Sequence, residues 1–359
     1  MGSRPQWIFG AIADAQRRPG PSGAASVRAS SSGKTFRQRA RGTSSVASSE
    51  TRISCSMLSL ISRGRLWIKT ALKTALVVPG LLQLLAGSRP AGLRVLFYHR
   101  VNPYPFDKLG PVSRETTVRP EAFARQLEYL RRQGFRTVSP EELLAMLTSE
   151  VSAANERVIA ITFDDGYEDN LLWATPLLKA HGFQAIVFVI TGFIGKESGE
   201  VWAEGDPSGF GRFLSRQQLR ELLAAGMFVG SHTHSHRPLT GLDDDDLQAE
   251  LGRSRRVLEE IAGAPALLLA YPGGDFDHRS ESTATRAGYA ASFTTIPGVN
   301  ETATRLQALR RTEVSASDTF FLFRMKVAGA LDWLWFKEAP GLRRVIGVTN
   351  RWLFRLLAR

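Results

Sequence analysis

Ile159-Ala160-Ile161-Thr162-Phe163-Asp164-Asp165-Gly166 is an apolar run that ends in two adjacent carboxylates and a glycine. Its β-branched and apolar residues predict a strand buried on both faces, as in a parallel sheet covered by helices. In such folds chemistry collects at the strand ends. Neighbouring carboxylates repel, and a metal ion that takes one as ligand while the other serves as base removes the conflict. Taken alone, the run fits a solvated Asp-Asp-Gly turn equally well.

On either side of this run the chain alternates strand and helix. Leu93 to His99 reads as a first strand. Pro120 to Arg132 carries Phe123, Leu127 and Leu130 at helical spacing, and Ser139-Pro140-Glu141-Glu142 opens a second helix with a capping box. After the double aspartate come a helix over about 170–180, a strand over 185–190, a helix opened by Ser215 with Gln218, and a strand over 227–232. A helix over 247–261 follows, its start favoured by the acidic run Asp243 to Asp246. A strand over 266–271, a helix to Ala287 and a strand over 289–295 complete the pattern. Strands separated by helices predict a parallel sheet with right-handed crossovers, here a distorted (β/α) barrel of about seven strands.

The net charge of +12 is unevenly placed. Residues 1–94 hold 15 Lys/Arg against 2 Asp/Glu and residues 324–359 hold 8 against 2, which leaves 95–323 with 23 against 30. An acidic body with basic ends argues against a nucleic-acid groove in the folded domain and for termini that meet an anionic membrane surface. Solvated tails, and nucleic-acid binding through the ends, are the competing readings. With Cys55 the only cysteine, no intramolecular disulfide forms and the redox compartment stays open.

Residues 1–56 are rich in Ser, Arg and Gly and are expected to be a disordered tail or a misassigned start, with Met57 the better N-terminus. Residues 57–92 form a basic, then apolar, membrane-interacting segment. Its run from Ala75 to Ala86 is too short to span a bilayer and is interrupted by Pro79-Gly80. Export through a signal peptide is the alternative, disfavoured by Arg89 and Arg94 and by the lack of an Ala-x-Ala site. The main domain is placed at 93–315. In 316–359, apolar Leu342, Val345, Ile346, Trp352, Leu353, Leu356 and Leu357 keep to one side of a helix and Arg344, Arg351 and Arg355 to the other. That extension fits a membrane interface or a cap on the barrel. The expected location is membrane-associated, at the cytoplasmic face or in the cell envelope.

Three of the six histidines fall within Ser231-His232-Thr233-His234-Ser235-His236, at a second strand end. Neutral imidazoles with an aspartate oxygen make a hydrolytic metal site that keeps positions open for water and substrate. Together, Thr162-Phe163-Asp164-Asp165-Gly166, His232-Thr233-His234-Ser235-His236 and Ala270-Tyr271-Pro272-Gly273-Gly274 resemble, in order, the first three motifs of the polysaccharide deacetylases with a NodB-type domain, carbohydrate esterase family 4. The resemblance covers roughly 93–315. It implies a divalent metal, most often Zn²⁺, held by Asp165, His232 and His236. It also implies Asp164 as catalytic base and the backbone N–H of Gly273 at the oxyanion, with His234 matching no required position.

Two departures stand out. Where many members open the third motif with an arginine that orients the base, this chain has Ala270. Arg310 or Arg311 would have to supply that charge, and Arg311 is the candidate carried forward. The late Leu-x-x-His motif is missing, but Tyr98-His99-Arg100-Val101 resembles the early histidine segment of the subgroup acting on poly-N-acetylglucosamine exopolysaccharides, which makes His99 the expected general acid. The expected activity is metal-dependent removal of N-acetyl groups from an acetylated amino-sugar polysaccharide. O-deacetylation of a glycan such as xylan is a rival, as is a non-catalytic glycan-binding scaffold with a degenerate site.

Overall fold

A strand inside a parallel sheet must be apolar on both faces, and two segments of this chain meet that demand over six residues each. In the computed structural model, Leu93–Tyr98 (β1) and Val158–Phe163 (β2) are buried throughout. They pair in parallel, with Leu96 opposite Ile161. The structure describes residues 67–82, 85, 92–105, 109–148, 157–201 and 211–338, all within one compact unit, Ser49–Arg359. The expectations for residues 1–56 and for the helix over 342–357 lie outside the described residues.

The sheet continues through Ile186–Val189 (β3), Phe228–Ser231 (β4), Leu268–Ala270 (β5) and Ala291–Phe293 (β6), each parallel to its predecessor. Thr312–Glu313 (β7) pairs in parallel with β1. Three residues upstream, Leu309 pairs in parallel with Phe293 of β6. The segment 309–313 therefore reaches from the last strand back to the first and curls the sheet into a distorted (β/α) barrel. Two short pieces depart from regularity: Val299–Asn300 runs antiparallel to the start of β1, and Arg136–Thr137 pairs with the start of β2. Val95, Ala160, Phe188, Leu268, Phe293 and Leu309, from six neighbours around the sheet, share one core cluster.

The helices begin and end where their caps dictate. Ser215 and Gln218 form a reciprocal capping box for Arg216–Ala224. Asp243 accepts from the N–H of Asp246 at the head of Asp244–Ala262, whose first turn carries three further aspartates. The helix expected over 170–180 opens with a π turn, Asn170–Ala174, before the regular turns of Thr175–Ala180. That irregular turn has a use: Asn170 donates to the carbonyl of His99 at 2.9 Å and so ties down the end of β1.

The segments flanking the barrel are joined to it. Residues 67–82 are helical, and Pro79-Gly80, read from sequence as an interruption, lies within those residues. Val77 is buried against Leu322, Ala330 and Leu331. Lys73 donates to Ser315 Oγ, Ser317 Oγ and Asp318 Oδ1 at 2.9, 2.8 and 3.0 Å. Asp318 also receives Lys326, and Trp333 donates to the carbonyl of Leu76. Gly80 is what permits the contact, because a Cβ there would stand 1.7 Å from the carbonyl oxygen of Ala330. Farther along, Arg94 at the start of β1 makes a bidentate pair with Asp332. Replacing Gly80 with valine should force the helix off Ala330 and cost about 1–3 kcal/mol, measured as a lower urea midpoint with accelerated proteolysis near residue 80.

Candidate active site

All the residues in question sit at the carboxyl ends of the parallel strands. Asp164 and Asp165 follow β2, His99 follows β1, His232 to His236 follow β4, and Gly273 lies just beyond β5. His99, Asp164, Asp165, His232, His236 and Gly273 line one cavity of about 690 Å³ together with Arg311 and Glu313.

The loops that carry them are held in costly conformations. Among the described residues, three non-glycine positions have positive φ: Asp165 at 74°, Thr233 at 65° and His236 at 60°. Each costs about 1–3 kcal/mol, so the surroundings must over-determine it. Side chains do so in the histidine loop. Ser231 Oγ accepts from Thr233 N–H at 3.1 Å, Thr233 Oγ1 accepts from His236 N–H at 3.2 Å, and Glu250 takes both the N–H and the hydroxyl of Ser235. The third loop uses glycine instead. Gly273 and Gly274 both have positive φ, and a Cβ on Gly274 would strike Thr295 Oγ1 at 2.3 Å.

These constraints bring three donors together. Asp165 Oδ1 lies 3.6 Å from Nε2 of both His232 and His236, and the three ligand atoms all fall within 4.8 Å of one another. Around an ion with bonds of about 2.1 Å, neighbouring donors stand roughly 3.0–3.4 Å apart, and both Asp165 contacts are close to that spacing. Hydrogen bonding and burial prepare the two rings. His232 Nδ1 donates to the carbonyl of Ala270 at 2.8 Å, which turns its Nε2 toward Asp165. Burial, with His232 beside it, pulls His236 down to about 4 against the opposing pull of Asp165, so its imidazole is neutral at ordinary pH. Two imidazoles and a carboxylate make a donor set suited to a divalent cation.

Beside this cluster Asp164 is buried, at 3% exposure, against an Arg311 with no exposure at all. The guanidinium grips both carboxylate oxygens, Nη1 to Oδ1 at 2.7 Å and Nη2 to Oδ2 at 2.8 Å. Its Nε donates to the carbonyl of Thr294, and its plane lies 4.4 Å over the ring of Phe97. Burial alone would raise the Asp164 carboxyl. Arg311 outweighs it, aided by His232 and His99, and holds the group down to about 2. Arg310 points elsewhere: its backbone N–H donates to Asn300 Oδ1, and its side chain packs near Gly298. At the position where an arginine was expected, Ala270 contributes its backbone carbonyl to His232.

His99 is half-buried on the same cavity, its ring 5.8 Å from that of Phe97 in an edge arrangement. His234 is turned away, its Nδ1 bonded to Thr191 Oγ1 at 2.9 Å, and lines a separate depression with Lys196 and Arg253. Sequence reasoning did not foresee that Lys73, Leu76 and Lys326 also line the active cavity. The one linear signal for this is the spacing of Thr70, Lys73, Val77 and Gly80, which puts them on one side of a helix.

Comparison with known proteins agrees with this architecture. Residues 152–292 match the polysaccharide deacetylase family. YxkH of Bacillus subtilis, a candidate polysaccharide deacetylase, is 29% identical over 227 residues, covering 63% of this chain and 73% of that protein. IcaB from Ammonifex degensii superimposes with a TM-score of 0.56 at 26% identity, over 68% of this chain and 98% of its own. The Streptococcus pyogenes deacetylase PplD, solved with acetate, does so with a TM-score of 0.55 at 26% identity, over 63% and 94%.

The Asp164–Arg311 pair makes stability pH-dependent. Because the folded carboxyl titrates near 2, below the ordinary value of about 3.9, its contribution is complete above the ordinary value and is lost as pH falls towards the folded one. Urea midpoints measured across that window should fall steeply in the wild type. Arg311→Met should strip this pH dependence and cost about 3–5 kcal/mol at neutral pH.

Proposed function

We propose that this chain, whose residues 152–292 match the polysaccharide deacetylase family, is a metal-dependent hydrolase that removes N-acetyl groups from an N-acetylglucosamine-containing glycan. The observation that carries this reading is the convergence of Asp165, His232 and His236 beside an ionised, buried Asp164. The likeness to IcaB and PplD fits the poly-N-acetylglucosamine subgroup that the His99 segment resembles.

Asp165, His232 and His236 would hold the ion, zinc being best suited to two imidazoles and one carboxylate. When bound, such an ion polarises the acetamide carbonyl and lowers the pKa of water. Asp164 takes the proton of the attacking water. Arg311 occupies one lone pair on each of its oxygens, and a carboxylate offers about four, so capacity to accept remains. Arg311 also fixes the plane of the carboxylate, which makes it a positioning residue. As water oxygen bonds to the carbonyl carbon, negative charge gathers on the carbonyl oxygen, and the backbone N–H of Gly273 donates to it. Collapse breaks the C–N bond. His99 gives its proton to the departing sugar nitrogen, and acetate and the free amine remain.

A membrane-surface location is part of the same proposal, supported by the basic ends of the chain. Among the described residues no helix is long and apolar enough to cross a membrane.

Acetate release from a chitin oligomer and from acetylated xylan, paired with metal analysis, tests the activity. Release from the oligomer should be lost on chelation and restored by zinc; preference for xylan would overturn the N-deacetylase reading. Asp164→Asn should lower turnover at least a hundredfold with metal retained, whereas Asp165→Asn should lose the metal. His99→Ala should cut turnover roughly 10²–10⁴-fold with metal content intact, and unchanged turnover would remove it from the mechanism.

A further inference from the structure

The helix at 67–82 is built inside out. Its inward side carries the polar and charged groups, Thr70 bonded to the carbonyl of Ser317, Lys69 paired with Glu115, and Lys73 sunk into Ser315, Ser317 and Asp318. Its outward side is apolar and carries no charge: Trp67 is 78% exposed, Ile68 70%, Leu72 60%, Val78 57% and Leu82 62%. Leu85 continues this face. Of the large apolar side chains exposed among the described residues, most lie on this stretch. A soluble surface helix has the opposite pattern, and a contiguous apolar face of this kind marks an interaction site.

The same helix is a wall of the active cavity. Lys73 and Leu76 line it, as do Val112, itself exposed, and Leu331 and Leu334, which share an apolar cluster with Leu76. Leu76, Val112, Leu331 and Leu334 thus give the cavity that holds Asp164 and the Asp165/His232/His236 cluster an apolar arm beside Lys73 and Lys326. A free sugar polymer, hydroxylated along its length, has no use for such an arm.

We infer that the substrate is an N-acetylated amino-sugar glycan carried on a lipid, taken by the enzyme while helix 67–82 lies in the surface of an anionic bilayer, with the lipid-proximal part of the substrate in the arm lined by Leu76, Val112, Leu331 and Leu334. This rests on the deacetylase reading above and specifies its substrate class. Charge argues for a bilayer as the occupant of the face over the chain's own segment 342–357 or a second copy. The segment leading into the helix carries Arg63 and Arg65, and both of those rivals are themselves rich in arginine, whereas anionic headgroups complement the positive ends. An apolar helix face seated at the headgroup boundary, with basic residues at its margin, is the arrangement by which a protein lies on a membrane without crossing it. The reaction is unchanged: water adds to the acetyl carbon, the C–N bond breaks, and acetate leaves while the amine stays on the lipid.

The full chain, loaded with zinc, should co-sediment with phosphatidylglycerol vesicles and bind phosphatidylcholine vesicles weakly. It should release acetate from a dialkyl glycolipid bearing N-acetylglucosamine in those vesicles at least tenfold faster than from a chitin oligomer of equal acetyl concentration. The combined variant Leu72→Glu, Val78→Glu, Leu82→Glu changes only exposed positions. It should lose sedimentation and the preference for the glycolipid while keeping turnover of the soluble oligomer. Equal rates on the two substrates, or a variant that processes the glycolipid as the wild type does, would overturn the inference and leave the deacetylase reading standing. A chain that stays in the supernatant, whether as a dimer or as a monomer covering its own face, would overturn it too. Acetate from neither substrate would sink the deacetylase reading and the inference with it.

Discussion

The ion pair between Arg311 and Asp164 is the contact on which site and fold both depend. Two opposite charges with almost no exposure sit among Phe97, Phe188 and Phe293. Taking them out of water is expensive, and only a bidentate geometry with the remaining hydrogen bonds satisfied repays it. Arg311 belongs to the segment that closes the sheet from β6 to β1, and Asp164 follows β2. The pair therefore clamps the seam of the barrel at the level where the reactive groups stand. A second buried pair, Arg100 with Asp169, repeats the device on the neighbouring loops, joined by Asn102 and by Ser113. Charge placed inside the barrel keeps the carboxylate ionised and immobile, which an apolar interior would not do.

Around that clamp the site stores strain rather than avoiding it. Asp165 and His236, two of the three converging donors, carry left-handed backbones, as does Thr233 beside His232. In the histidine loop that cost is met by hydrogen bonds to Thr233, Ser231 and Glu250, the last of these drawn from the helix Asp244–Ala262. The acidic head of that helix and its single buried glutamate thus have separate duties, one starting the helix and the other holding the histidine loop.

Much of this was legible beforehand because it depends on local rules. A buried parallel strand reads as an apolar run, a capped helix start as Ser-x-x-Gln or a row of aspartates, and metal donors as carboxylates and imidazoles at strand ends. The order of strands and helices, and the meeting of Asp164, Asp165, His232 and Gly273 at one end of the barrel, follow from topology alone once the strands are parallel. What was not legible concerns partners far apart in the chain. Arg310 and Arg311 are indistinguishable as letters. Alternation along the segment 309–313 and the pairing of Leu309 with Phe293 decide that Arg311 faces Asp164 while Arg310 lies by Gly298 and Asn300. Likewise the segment before residue 93 reads as an appendage, because nothing local announces that Lys73 will meet Ser315, Ser317 and Asp318 more than two hundred residues away.

By itself, then, the sequence determined the kind of fold, the strand ends that carry chemistry and the donor types gathered there, since periodicity, capping and ligand chemistry act over a few residues. The tertiary structure alone decided which arginine holds the double aspartate's first member, which histidine turns away, and that the basic apolar helix forms part of the cavity wall. Those outcomes depend on burial and on contacts across the barrel, where a one-residue change in register sends a side chain to the opposite face.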